Sequence, residues 1–171
     1  MEIDPARQEV VKVIPTATGA RPIRPAKDGK TLYVALSHLV GFVVIDPATG
    51  KTTRRVELGT LPDGVPNPYK DTWTHDLALT TNETELWLCD DANDLLRVIH
   101  LSDMKETHQI KTGHFPHWFA LRPDGDVLFA SLWFSDAVGV YDVKTKKVIA
   151  NIQFELRSGP KRIAIGKRVA R

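Results

Sequence analysis

The sequence "IDPA" occurs at residues 3–6 and again at 45–48, and "HDLAL" at 75–79 is answered by "HWFAL" at 117–121. The offset is 42 in both cases, and in the same frame Leu86 meets Leu128, Val98 meets Val140 and Ile110 meets Ile152. The frame slips once: "DGKTLYVA" at 28–35 aligns with "NETELWLC" at 82–89 at an offset of 54. The extra residues fall in "GTLPDGVPNPYKD" at 59–71, whose Pro and Gly content reads as a loop insertion. A period near forty residues means one supersecondary unit that cannot bury its own faces and must stack on its copies.

Within a unit the periodicity is that of strands. From residue 117 the chain reads "HWFAL", a turn "RPDGD", "VLFASLW", a turn "FSD", "AVGVYDV", a turn "KTK", then "KVIANIQF". Four runs rich in Val, Ile, Leu and aromatics alternate with Asp-Gly, Ser-Asp and Lys-Thr turns. No segment keeps the i, i+3, i+4, i+7 apolar spacing of a stable helix; "LSDMKETHQI" shares its register with the hairpin "DVKTKKVIANI". Four antiparallel strands per unit predict an all-β chain of β-propeller blades. Each blade packs on neighbours through both faces, which explains the nearly unbroken apolar runs.

The motifs "KDGKTLYVA", "RPDGDVLFAS", "VVIDPATGK" and "VGVYDVKTK", with looser matches in "TNETELWLCD" and "RVIHLSDMK", resemble the YVTN-repeat family of bacterial seven-bladed propellers. The resemblance runs over essentially the whole chain and also brings WD40-like architecture to mind. It implies a fold, and it implies an extracytoplasmic setting, periplasmic or secreted. It says little about function, because this propeller class hosts many activities.

The frame divides residues 1–171 as a single partial propeller domain, about four blades' worth. Residues 1–16 supply outer strands of a split blade; 17–58, 72–113 and 114–155 are full blades, with the insertion 59–71 between the first two. Residues 156–171 supply one inner strand and a tail. Three arrangements follow: the C-terminal half of a larger seven-bladed protein with N-terminal blades missing, a homodimer completing one ring, or a small self-closed ring. Open blade faces expose apolar surface, which weighs against a lone monomer.

Composition narrows the function classes. The 23 basic and 21 acidic residues give +2, spread along the chain apart from "GPKRIAIGKRVAR" at its end, so a nucleic-acid footprint is not expected. No run has the length of a membrane span. A single cysteine, Cys89, excludes an internal disulfide and a cysteine-based metal site. The start "MEIDPARQEV" lacks the charged and apolar regions of a signal peptide. P-loop, G-x-S-x-G and G-x-G-x-x-G signatures are absent.

Loops entering the inner strands gather around a propeller's axis. Aligned by frame, that address holds Arg21, His75, His117 and Lys161, so the repeated histidines mark the axial mouth. His75, His114 and His117, with Asp71 or Asp76, could ligate a divalent metal through neutral imidazole nitrogens and a carboxylate. Histidines hydrogen-bonded within the channel are the structural alternative, and no organic cofactor is called for. Beside the insertion stand Tyr69, Lys70 and Trp73, and one blade on Phe115 and Trp118, a mixture suited to a flat or sugar-like ligand. Trp87, Phe129 and Tyr33 share one frame position and are expected in the core, while Trp133 fits core or rim. Asp4, Asp46 and Asp142 recur after third strands, with His100 in the remaining unit, as turn residues.

The expected function is a non-catalytic scaffold or binding module that presents its axial face to a protein, a glycan or a small anionic ligand. The alternative is a lactonase- or lyase-type enzyme with a histidine- or metal-dependent site in the central channel. Arginine, lysine and histidine dominate the address, which favours anion binding over divalent-metal catalysis.

Overall fold

The computed structural model describes residues 1–60 and 73–166. Strands β1 (Glu2–Asp4) and β2 (Glu9–Lys12) form a two-stranded sheet. The first four-stranded blade is β3 (Ala20–Pro25), β4 (Leu32–Leu36), β5 (Gly41–Asp46) and β6 (Lys51–Glu57). The second is β7 (Thr74–Leu79), β8 (Glu85–Asp90), β9 (Leu95–His100) and β10 (Lys105–Lys111). The third is β11 (Pro116–Leu121), β12 (Val127–Leu132), β13 (Ala137–Asp142) and β14 (Val148–Gln153). Every pairing is antiparallel between chain neighbours, as expected for propeller blades.

The frame read from the sequence is the ladder register. Tyr33 pairs with Val44, Trp87 with Val98 and Phe129 with Val140, the same step in three blades. Because side chains alternate across a strand, Tyr33 and Ala35 face one way and Val34 and Leu36 the other. Tyr33, Ala35, Phe42 and Val44 pack against Leu77, Leu86, Leu88 and Ile99 of the second blade. Trp87, Cys89, Leu96 and Val98 on that blade's other face pack against Phe119, Leu128, Ala130 and Tyr141. The core is therefore a set of seams between blades, with both faces of the middle blade buried. Trp87 is 1% exposed, while Phe129, in the same frame position, is only half-buried.

Turn chemistry follows the recurring acids. The Oδ1 atoms of Asp4, Asp46 and Asp142 accept from backbone N–H groups two or three residues on: Ala6 and Arg7, Ala48 and Thr49, and Thr145. At His100 the ring Nδ1 instead lies 3.2 Å from Asp103 Oδ1. Two local features differ from expectation. Trp133–Ser135 forms a short 3₁₀ turn inside the third blade. Residues 159–166 carry no strand, because a strand needs a ladder partner and none lies beside them among the described residues. The Ser131 hydroxyl donating to Lys161 O holds this segment against the third blade. Among the described residues, no helix is long and apolar enough to cross a membrane.

Candidate functional site

Arg21, His75 and His117 are the second residues of the inner strands β3, β7 and β11. The blades stack side by side, so equivalent positions on consecutive inner strands converge at one end of the propeller axis. Lys161 joins them from the segment after the third blade. These four residues, with Trp118 and Arg162, line one cleft of about 190 Å³.

The floor of the cleft is buried and polar. His75 and His117 are each 2% exposed, with ring centroids 3.8 Å apart at 36°. Both Nδ1 atoms turn to one carboxylate oxygen, Asp91 Oδ2, at 2.6 Å from His75 and 3.3 Å from His117. Arg21 Nη2 lies 3.4 Å from His75 Nε2. A guanidinium only donates, so His75 Nε2 accepts and the ring proton sits on Nδ1, facing Asp91. Burial lowers the His75 pKa to about 3, helped by His117, Arg21 and Lys161. Burial, then Lys161 and Arg21, lowers that of His117 to about 4. Asp91 moves the opposite way: burial pushes its carboxyl well above the usual range, neighbouring Asp90 adds to this, and the backbone N–H of His75 opposes it. Both imidazoles are therefore neutral near pH 7.

The rim is cationic and backed by aromatic faces. Lys161 Nζ stands 4.6 Å above the Trp133 ring and the Arg162 guanidinium 4.9 Å above that of Trp118, both cation–π distances. Trp133 stacks on Phe134 at 4.8 Å and meets Phe115 edge-on at 5.8 Å. Trp133 is thus a rim residue that also reaches His117, 5.3 Å between centroids. The Asp136 side chain, in left-handed backbone at φ 50°, accepts from the N–H groups of Arg157 and Gly159 and so fixes the approach to Lys161.

His114 is not part of this floor. Its Nδ1 lies 2.8 Å from Asp94 Oδ2, and its side chain is 76% exposed. Asp94 also accepts from Phe115 N–H, so it shapes the loop entering the third blade as Asp136 shapes the next. Asp76 points into the seam between inner strands instead of the cleft. Its Oδ1 accepts from Arg24 Nη2 at 2.5 Å and from Leu77 N–H, and its Oδ2 accepts from Phe119 N–H at 2.9 Å. Burial raises its pKa to about 6 against the opposing pull of Arg24 and the two N–H groups. Trp73 touches the floor through its carbonyl, which accepts from Asp91 N–H. Tyr69, Lys70 and Asp71 lie outside the described residues.

The carboxylate that the structure brings to the histidines is Asp91, which sequence reading did not single out. The antiparallel pairing of Thr74 with Asp90 sets Asp91 opposite Trp73, two residues before His75, and no repeated residue type marks that position in the sequence.

The family description "Lactonase, 7-bladed beta-propeller" matches residues 4–160. Among solved structures, the chain is similar to Kuenenia stuttgartiensis hydrazine synthase, at 20% identity and TM-score 0.70 over 89% of this chain and 40% of that one. U3-55K is similar at 13% identity and TM-score 0.66, over 82% and 41% of the two chains. The WD40 repeats of RRP9 match at 13% identity and TM-score 0.65, over 82% and 40%. The chain thus spans about two-fifths of the length of these structures, and at such identities the likeness concerns the fold. No curated protein matches the chain in sequence.

Proposed function

The chain belongs to the seven-bladed lactonase propeller family, and from that premise we propose that its axial cleft binds a small anionic ligand bearing a carboxylate or phosphate group. One observation carries the reading: Arg21, Lys161 and Arg162 line a cleft whose buried histidines are neutral. Neutral imidazoles neither add to nor offset the rim charge, and the acid that faces them is Asp91. A guanidinium recognises a carboxylate or phosphate by paired N–H donors. Trp118 supplies an apolar wall for the ligand's carbon skeleton.

The test is thermal stabilisation by inorganic phosphate, citrate and a sugar acid at fixed ionic strength, in the protein and in Arg21→Ser/Lys161→Ser. Stabilisation that vanishes in the double variant supports the proposal. Equal stabilisation in both would place the anions elsewhere.

A second reading, lactone hydrolysis, is favoured by the family match and by two neutral imidazoles backed by a buried carboxylate. In it an imidazole Nε2 takes a proton from water as the water attacks the lactone carbonyl, and returns that proton to the ring oxygen as the acyl C–O bond breaks, leaving a hydroxy acid. Ring opening of an anionic lactone, lost in His117→Gln with binding retained, would select the enzyme over the binding module. The extracytoplasmic setting implied by the YVTN resemblance is part of the same proposal, and cell fractionation tests it.

A further inference from the structure

We propose that His75, His117 and Asp91 form a binding site for one divalent transition-metal ion at the floor of the axial cleft. Their ligand atoms all lie within 4.8 Å of one another, and all three residues are buried. The two edges that meet at Asp91 Oδ2 measure 2.6 and 3.3 Å. An ion with bonds of about 2.0–2.2 Å to imidazole nitrogen and carboxylate oxygen spans such edges after shifts of well under about 1 Å.

The second observation is independent of this triangle. Asp91 Oδ1 is buried and has no hydrogen-bond partner among the described residues, although the side chain is 0% exposed. Buried polar atoms are nearly always satisfied, so a bare carboxylate oxygen beside two imidazoles points to a missing cationic partner. The donor set of two nitrogens and a carboxylate suits zinc, cobalt or another borderline ion and leaves a coordination position open towards the cleft.

Ligation at Nδ1 moves each ring proton to Nε2 or to water. For His75 this turns an acceptor facing Arg21 into a donor, so the guanidinium must swing outward. Arg21 is exposed, and its long side chain allows the movement. Arg21 and Lys161 also repel a bare ion, and an anion bridging metal and rim relieves that repulsion. The metal site itself does not rest on the anion reading.

Titration of the protein with Co²⁺ in a buffer free of added phosphate and carboxylate tests the site, read by visible d–d absorption and by calorimetry with Zn²⁺. The expected result is one ion per chain, with affinity at least about tenfold lower in Asp91→Asn and in His117→Gln. His114→Ala is expected to bind as the parent does, because His114 stands apart with Asp94. Arg21→Ser is expected to keep or improve ion binding while losing anion binding, which separates failure of this site from failure of the anion reading. Absence of saturable Co²⁺ binding would overturn the proposal, and so would binding retained in folded Asp91→Asn or His117→Gln. If Asp91→Asn does not fold, His117→Gln and the Co²⁺ spectrum decide.

Discussion

The Arg24–Asp76 pair joins the first blade to the second at the inner strands, and a double-mutant cycle measures what that joint contributes. Asp76 is fully buried, Arg24 is one-third exposed, and the Nη2–Oδ1 distance is 2.5 Å. Unit charges centred about 4 Å apart at an effective dielectric of about 20 attract by about 4 kcal/mol. Solvent at the Arg24 end reduces this to about 2 kcal/mol. The variants are Arg24→Met, Asp76→Asn and both together, compared by urea unfolding; the cycle cancels the separate cost of burying each group. Because the Asp76 pKa is raised to about 6, the native protein takes up this proton before the unfolded chain does. The stabilisation that proton gives is complete below the unfolded pKa of about 3.9 and is lost as pH rises through 6. The Arg24 attraction runs the other way, since it requires the ionised carboxylate. The coupling is therefore expected near 2 kcal/mol at pH 8 and close to zero at pH 5. A coupling below about 0.5 kcal/mol at pH 8 would refute the joint, and one unchanged at pH 5 would refute the raised pKa.

Other variants probe the seams and the mouth. Trp87→Ala removes the largest fully buried side chain, from the seam between the second and third blades, and is expected to cost about 3–5 kcal/mol in urea unfolding. Gly41→Ala adds a Cβ 2.1 Å from Val56 O at φ 142°, so this edge of the first blade must distort; a loss of at least about 1 kcal/mol is expected in the same assay. Asp136→Ala releases the loop that presents Lys161 and is expected to weaken anion-induced stabilisation several-fold while the melting temperature of the unliganded protein changes little, read by thermal shift. His114→Ala, outside the cleft floor, is expected to leave that stabilisation unchanged.

Much of the fold could be read in the repeat because ladder register and sequence frame are the same quantity in stacked blades. Tyr33, Trp87 and Phe129 hold one frame position and one pairing step. For the same reason Arg21, His75, His117 and Lys161 could be placed at one mouth before any coordinates, and Trp118 with them. Asp91 could not, because its role depends on how the chain leaves β8, and its frame equivalents Ser37 and Trp133 share no chemistry with it. His114 looked like a third imidazole by its spacing from His117, yet the loop turns it towards Asp94. Asp76 is adjacent to His75 in sequence, but alternation along the strand sends it to the opposite face, where Arg24 and Phe119 N–H await it. The expected inner strand after residue 158 has the right residues but, among the described residues, no ladder to join.

The most direct test of the axial cleft as an anion site is a crystal of the protein soaked in tungstate, examined for anomalous scattering. The account predicts a peak within hydrogen-bond reach of Arg21, Lys161 or Arg162, above the His75–His117 floor and lost in Arg21→Ser/Lys161→Ser. Peaks confined to other lysines and arginines, with the cleft empty, would contradict it.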